Sequence, residues 1–203
     1  MPIFSLKRFY TRVRHWMGLA LRPHLAFLRM REKRHARMAR TIHANIPTSS
    51  LPDITLTPVT NRNDLQRQLL SLFRTNPSPL TIAPRSRKAL ANEFAKGTQY
   101  YLATNKLGQV IGCIGFQPLR NMSVHLTIDY KYRRKGYGMS VKRELELIKA
   151  SEGIPEIWSQ AFKENKPAIS SHLSLGYKLV REKEEPLYFT FFKSLSQYRK
   201  DDL

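Results

Sequence analysis

The amino-acid sequence predicts a mixed α/β fold of the α+β type, preceded by a basic helical extension. Two observations indicate the fold. After residue 52, short apolar or alternating runs of strand length are interspersed with longer runs of helical spacing, and Gly, Asn and Pro mark the turns between them. A third observation, positive charge crowded before residue 47, sets the extension apart. With 203 residues the chain is long enough to bury one sizeable core.

The charge is strongly unbalanced. The chain has 35 Lys and Arg against 15 Asp and Glu, a formal net charge of +20. Eleven of the basic residues lie in residues 1–52, where Glu32 is the one acidic residue. This balance predicts an anionic partner, which can be a nucleic acid, an anionic membrane surface or an anionic cofactor. The single cysteine, Cys113, excludes an internal disulfide and is predicted to lie in the core.

Residues 1–46 are predicted to form two basic amphipathic helices, with helical spacing over Leu6 to Ala20 and again over His24 to Ile42. They can pack on the rest of the chain or on a second copy in a homodimer, contact nucleic acid, or lie on an anionic membrane surface. Their Arg-rich, acid-poor start also resembles a mitochondrial presequence. Otherwise we expect a cytoplasmic protein, because no apolar run has the length of a membrane span or a signal-peptide core.

Residues 47–52 read as a linker, residues 53–195 as the main domain and residues 196–203 as a polar tail. The main domain is predicted to contain, in order, a strand at 54–59, helices at 63–73 and 86–96, strands at 100–104, 109–117 and 122–129, a helix at 138–150, a strand at 156–162, a helix at 167–175, and closing strands at 179–181 and 188–193.

Turn and cap residues support these boundaries. Asn63 or Asp64 and then Ser86 can cap the first two helices, and Asn105 to Gly108 reads as a hairpin turn. Glycines follow the last two helices, as is common past a helix C-terminus. In strand 122–129, alternation predicts Ser123, His125 and Thr127 on one face, and Val124, Leu126 and Ile128 on the other.

The most informative segment runs from Ile128 to Gly138, between a predicted strand and a predicted helix. Gly136 and Gly138 allow a tight turn that exposes backbone N–H groups, and N–H groups at a helix N-terminus bind anions. Arg133, Arg134 and Lys135 add positive charge beside them. Pyrophosphate suits such a loop, although a basic turn with two glycines would look the same.

The segment resembles the acyl-CoA pyrophosphate loop of the GNAT superfamily of N-acyltransferases, which runs Val-x-Pro-x-x-Arg-x-x-Gly-x-Gly. Ile128 stands at the Val position, Arg133 at the Arg, and Gly136 and Gly138 at the glycines, whereas Tyr130 replaces the usual Pro. A second family motif, Asn-x-x-Ala/Ser-x-x-x-Tyr-x-x-x-Gly-Phe/Tyr, is matched at the expected distance by Asn165, Ala168, His172, Gly176 and Tyr177. The resemblance covers residues 53–195.

The resemblance implies a mixed, mostly antiparallel central sheet flanked by helices, and transfer of an acetyl group from acetyl-CoA to an amine by direct attack in a ternary complex. It implies that the backbone of residues 134–139 holds the pyrophosphate and that the strand near Ile128 pairs with pantetheine. Asn165 either hydrogen-bonds the pantetheine or caps its helix. The implied cofactor-binding residues are Ile128, Arg133, Arg134, Lys135, Gly136, Tyr137, Gly138, Met139 and Asn165.

Two histidines are the candidate catalytic residues. His172 stands where the family usually has the tyrosine that protonates the CoA thiolate, and an ordinary histidine pKa suits proton transfer near neutral pH. The fourth strand lacks the carboxylate that relatives often place there, so His125 is the candidate base, directly or through water; it is otherwise a core or sheet-surface histidine. No group of residues has metal-ligand spacing, and we expect no metal. The acceptor amine is not identified by the sequence.

A second hypothesis follows from the missing carboxylate and the missing tyrosine. The chain would then be a catalytically weak binding protein with the same fold, whose basic extension contacts nucleic acid or an anionic surface.

Overall fold

A computed structural model describes residues 51–60, 63–78, 83–180 and 185–199 of the chain. The strands are β1 (Ile54–Pro58), β2 (Gln99–Asn105), β3 (Val110–Gln117), β4 (Met122–Ile128), β5 (Glu156–Phe162), β6 (Lys178–Leu179) and β7 (Tyr188–Ser194). The helices are α1 (Asn63–Thr75), α2 (Arg87–Ala95), α3 (Tyr137–Ser151) and α4 (Lys166–Ser174). The predicted extension, residues 1–46, lies outside the described residues and stays a prediction.

The strands form one seven-stranded sheet in the order β1-β2-β3-β4-β5-β7-β6. Each neighbouring pair is antiparallel except β4 and β5, which are parallel. The predicted fold class, a mixed and mostly antiparallel sheet flanked by helices, is therefore confirmed. The predicted element order is also the observed one. The closing strand expected at 179–181 is the short strand β6, which begins at Lys178.

A core cluster covers each face of the sheet. The α1-side cluster joins the apolar residues of α1, which recur at Leu65, Leu69, Leu72 and Phe73, to Leu90 of α2 and to strand residues that include Cys113. The α3-side cluster joins Val141 and Leu145 of α3 to residues on the other face of the sheet. Cys113 is completely buried, as expected of a core cysteine. Among the described segments, no helix is long and apolar enough to cross a membrane.

Strand β4 contains a bulge that the alternating pattern did not predict. Thr127 pairs with Cys113 and Val124 with Gly115, so β4 has one extra residue in this stretch, and His125 has a φ of 55°. Ser123 pairs with Phe116 of the α3-side cluster, whereas Cys113 belongs to the α1-side cluster. Paired residues share a face. The prediction that Ser123 lies on the same face as Thr127 is thus wrong, because one inserted residue moves the following side chains to the other face.

Candidate active site

A cleft opens where β4 and β5 separate. The two parallel strands pair only at Met122 with Trp158 and at Ser123 with Ser159. Beyond these pairs lies a cavity of about 260 Å³, which we call the β4–β5 cleft. Its walls include His125, Lys142 and His172, together with Ser159 and Asn165. The cleft therefore brings both predicted catalytic histidines and one predicted cofactor residue together.

The loop between β4 and α3 begins where β4 ends. Asp129 caps a short 3₁₀ turn by accepting a hydrogen bond from the Lys131 N–H at 3.0 Å. Gly136 then takes a left-handed φ of 83°, and its carbonyl accepts from the N–H groups of Met139 and Ser140. The N–H groups that precede them, at Tyr137 and Gly138, open the helix and have no carbonyl one turn earlier in it. This is the geometry that binds anions at a helix N-terminus.

The basic side chains of the loop differ in their contacts. Arg133 donates from Nε to the Ile128 carbonyl at 2.9 Å and from Nη2 to the Asn76 side chain at 3.3 Å. Lys135 lies over the Tyr132 ring, 5.8 Å from its centroid. Arg134 has a left-handed φ of 66°. Three basic residues thus precede the helix start in the chain, and Arg133 ties the loop to the end of α1.

The remaining residues expected to bind the cofactor surround the same helix start or the cleft. Tyr137 packs edge-on against Tyr132, with ring centroids 5.9 Å apart. Ile128 and Met139 pack against the α3-side cluster. Asn165 caps α4 by accepting from the Ala168 N–H at 3.3 Å, and it also lines the cleft. Capping fixes Asn165 at the cleft wall, so its two possible roles are compatible.

His125 is held at the cleft by aromatic residues of the α1-side cluster. Its Nδ1 lies 2.6 Å from the Tyr100 hydroxyl, and its ring stacks on that of Tyr100 at an interplanar angle of 11°. Phe73 contacts the His125 ring edge-on at a centroid distance of 6.5 Å. Burial lowers the pKa of His125, against an opposing effect of Glu93. The imidazole is therefore neutral at neutral pH, as a base must be.

His172 also lines the cleft and is buried, with 2% of its surface exposed. Its ring stacks on Phe191 at a centroid distance of 4.5 Å. Nδ1 lies 2.6 Å from the Ala168 carbonyl, and Nε2 lies 2.7 Å from the Ser159 hydroxyl and also contacts Nζ of Lys142. Burial, together with the Lys142 charge, lowers the pKa of His172. The ring is neutral and firmly held.

Lys142 and Ser159 were not predicted from the sequence. Lys142, Glu146 and Lys149 recur on α3 at spacings of four and three residues, which usually indicates a solvated charged face. In the structure all three are buried, with exposed fractions of 4%, 0% and 0%. The one signal for Lys142 is its position four residues after Gly138, on the helix that follows the glycine loop. Ser159 sits mid-strand and has no distinguishing sequence signal.

Comparison with known proteins agrees with this architecture. Residues 66–177, more than half of the chain, match the family model described as the acetyltransferase (GNAT) family. No curated protein matches the chain in a sequence comparison.

Solved structures give the same fold. PaiA N-acetyltransferase from Thermoplasma acidophilum, in complex with coenzyme A, is 18% identical, with a TM-score of 0.56 over 69% of this chain and 99% of that one. The ribosomal-protein-S18-alanine N-acetyltransferase from Escherichia coli is 16% identical, with a TM-score of 0.55 over 70% and 95%. A GNAT acetyltransferase from Elizabethkingia anophelis with bound acetyl-CoA is 13% identical, with a TM-score of 0.52 over 70% and 97%.

The splayed sheet and the glycine loop at the end of β4 define an acyltransferase fold. The chain belongs to the GNAT family of acetyltransferases. Its residues fit the CoA substrate of that family, because N–H groups at the start of α3 and the basic side chains beside them supply donors for phosphate oxygens. Within the described ranges, no group of three or more His, Cys, Asp and Glu side chains is arranged to hold a metal ion.

Proposed function

We propose that the protein transfers an acetyl group from acetyl-CoA to an amine by direct attack in a ternary complex. The observation that carries the proposal is the β4–β5 cleft, whose strand β4 leads through a glycine loop to the N-terminus of α3 and whose lining includes two neutral histidines. Binding both substrates in one cleft makes the reaction effectively unimolecular, which can supply much of the rate enhancement.

The cofactor-binding residues divide between the phosphates and the pantetheine arm. The backbone of residues 134–139 and the side chains of Arg133, Arg134 and Lys135 bind the pyrophosphate. The β4 edge near Ile128 pairs with the pantetheine, because the separation from β5 leaves that edge without a strand partner beyond Ser123. Asn165 contacts the arm from the opposite wall.

The two walls divide the proton transfers. His125 is the general base and accepts a proton from the attacking amine, directly or through water. For this, Nδ1 must carry the ring proton and donate it to the Tyr100 hydroxyl, so that the Nε2 lone pair is free. The departing thiolate is protonated at the part of the cleft that holds His172. Such groups typically contribute 10²–10⁴-fold each.

The net charge of the protein indicates which kind of acceptor amine it attracts. A protein of net charge +20 repels free polyamines and basic peptides, but attracts an amine carried by an anionic molecule or assembly. We therefore propose an acceptor amine on a polyanionic carrier, such as an aminoacylated RNA or a protein bound to RNA.

The test begins with isothermal titration of acetyl-CoA into the full-length protein and into a variant that begins at Leu51. Binding by both places the CoA site in the main domain, and release of free thiol with a panel of amines then measures transfer. Binding without thiol release for any amine would instead support the second hypothesis, a binding protein. No binding by the full-length protein would overturn the proposed function.

A further inference from the structure

Lys142 is a buried lysine at the wall of the β4–β5 cleft, and no carboxylate in the described part of the chain forms a salt bridge with it. Among the described residues, its Nζ contacts Nε2 of His172, lies 3.4 Å from the Ser159 hydroxyl and sits 5.3 Å from the centre of the Tyr177 ring. The two other buried lysines have carboxylates: Lys149 pairs with Glu152 at 2.8 Å and Lys193 with Glu146 at 2.6 Å. An unpaired buried ammonium is costly and is a marker of function.

The hydrogen bonds at His172 determine where the proton lies. A carbonyl oxygen can only accept, so Nδ1 of His172 must donate its proton to Ala168. In the neutral ring Nε2 then has one lone pair, which accepts a hydrogen bond from Lys142 or from Ser159. His172 in this tautomer has no proton on Nε2 to give to a substrate.

The charges around Lys142 agree with this assignment. Burial lowers the pKa of Lys142 to about 7, against the opposing effect of Glu146 one turn along the same helix. His172 of α4 contacts Lys142, and burial together with the Lys142 charge lowers the pKa of His172. Beyond α4 the Tyr177 ring lies between Lys142 and Lys193 of β7, which is paired with Glu146. Below about pH 7 the exchangeable proton of the group is thus on Lys142.

We propose that the Lys142 ammonium donates the proton to the CoA thiolate, and that His172 and Ser159 position Lys142 for this step. The inference rests on the proposed function and names the general acid of the acetyl transfer. As the amine nitrogen bonds to the acetyl carbon, the carbon–sulfur bond breaks and its electron pair goes to sulfur. A proton moves from Nζ of Lys142 to that sulfur, and the neutral lysine regains a proton from solvent. The proton lost by the amine leaves by way of His125.

The test compares CoA with desulfo-CoA, in which hydrogen replaces the thiol. The Lys142 ammonium donates a hydrogen bond to the CoA sulfur, which desulfo-CoA lacks, so the protein should prefer CoA to desulfo-CoA. Isothermal titration of both ligands measures this preference. In K142M we expect the preference to fall at least tenfold, while desulfo-CoA binds as before.

Two control variants isolate the effect. K149M removes another buried lysine of α3, and K88M removes an exposed lysine and the same unit of charge; both should retain the full preference for CoA. K142M should fold, because His172 and Ser159 remain hydrogen-bonded to each other. If it does not, the pH profile of the wild-type protein still tests the proposal: the transfer rate should fall as Lys142 loses its proton above about pH 7, and a rate that keeps rising through pH 9 would overturn it.

The outcomes separate this inference from the proposed function. If neither ligand binds the wild-type protein, the proposed function fails. If both bind but K142M keeps the wild-type preference for CoA, the inference fails and the proposed function stands. Loss of the preference in H172Q with an intact preference in K142M would assign the proton to His172 instead.

Discussion

The side-chain oxygen of Asn76 accepts the backbone N–H of Tyr130 at 2.8 Å, across 54 positions of sequence. The same oxygen accepts from Arg133, while the Asn76 amide nitrogen donates to the Leu72 carbonyl at 3.1 Å. Only 6% of Asn76 is exposed. One buried amide directly after α1 therefore fixes the loop that leads to the start of α3, where we propose that the pyrophosphate binds.

Replacing Asn76 should loosen that loop. We expect N76A to lower the free energy of unfolding by about 1–3 kcal/mol, because it leaves the Tyr130 N–H without its acceptor. CoA affinity should fall several-fold as well, since the loop must then be ordered on binding. Denaturant unfolding and titration calorimetry measure the two effects. N92A, at an exposed position in α2, is the control, and equal CoA affinity in the two variants would contradict the role given to Asn76.

The two loop glycines should respond differently to alanine. At Gly136 the φ of 83° disfavours a side chain, and a Cβ would lie 3.0 Å from Cδ of Pro52. We therefore expect G136A to cost about 1–3 kcal/mol of stability. At Gly138 a Cβ would make only an ordinary contact, 3.8 Å from Cγ1 of Ile128. G138A should keep or slightly raise stability.

At Gly138 we expect alanine to weaken CoA binding although it leaves the stability intact. In the proposed site the N–H groups at the start of α3 face the pyrophosphate, and a methyl group on Gly138 would crowd it, so we expect G138A to bind CoA at least tenfold more weakly despite its intact fold. Thermal unfolding and calorimetry on the same samples distinguish the two glycines. Wild-type CoA affinity in G138A would show that this loop does not bind the pyrophosphate.

The pH dependence of transfer should reflect the burial of His125. Because burial lowers its pKa from 6.5, the imidazole stays neutral to a lower pH than usual, and the acidic limb of kcat/KM should lie below pH 6.5. H125A should lower kcat/KM by roughly 10²-fold or more and abolish that limb. Y100F, which removes the partner of Nδ1, should lower kcat with little change in KM. An acidic limb that persists unchanged in H125A would assign the base elsewhere.

The charge on Lys142 should make stability depend on pH. Its pKa is about 7 in the folded protein and 10.5 as the ordinary value, so between these pH values the unfolded chain binds more protons. The free energy of unfolding contributed by Lys142 therefore rises with pH through this window, by roughly 1.4 kcal/mol per unit at most. We expect K142M to be more stable than the wild type below pH 7, with the difference shrinking towards pH 10. A difference that does not vary with pH would show that Lys142 titrates normally.

The single thiol should be inert in the folded protein. Cys113 is fully buried, and burial raises the pKa of its thiol. We expect no reaction with a disulfide reagent under native conditions and one equivalent after denaturation, so thiol release from CoA can be followed without background. Rapid modification of the native protein would show that the sheet opens around β3.

The sequence predicted what local patterns specify and missed what packing decides. Helix and strand order followed from periodicity and turn residues, and the loop from Ile128 to Gly138 followed from its glycines and charge. The bulge at His125 was not predictable, because the β4 sequence alternates regularly through it. Lys142 was hidden by a charged helical spacing that predicts solvent exposure, whereas the sheet and α4 cover it.

Asn165 shows the intermediate case. Its position before a helix predicted a cap, and its match to a family motif predicted a ligand contact; the structure confirms the cap. The contact to pantetheine stays a prediction.

The parallel junction of β4 and β5 also makes the sheet a structure of two parts. Only two residue pairs join β1 to β4 with β5 to β7, while β5 and β7 alone share seven. The chain passes from the first part to the second through α3 and the turn after it. This turn, residues 152–155, carries Gly153 and lies at the surface. A chain cut at this turn should reassemble from its two pieces, and CoA, for which we propose a site along the junction, should favour the reassembled form.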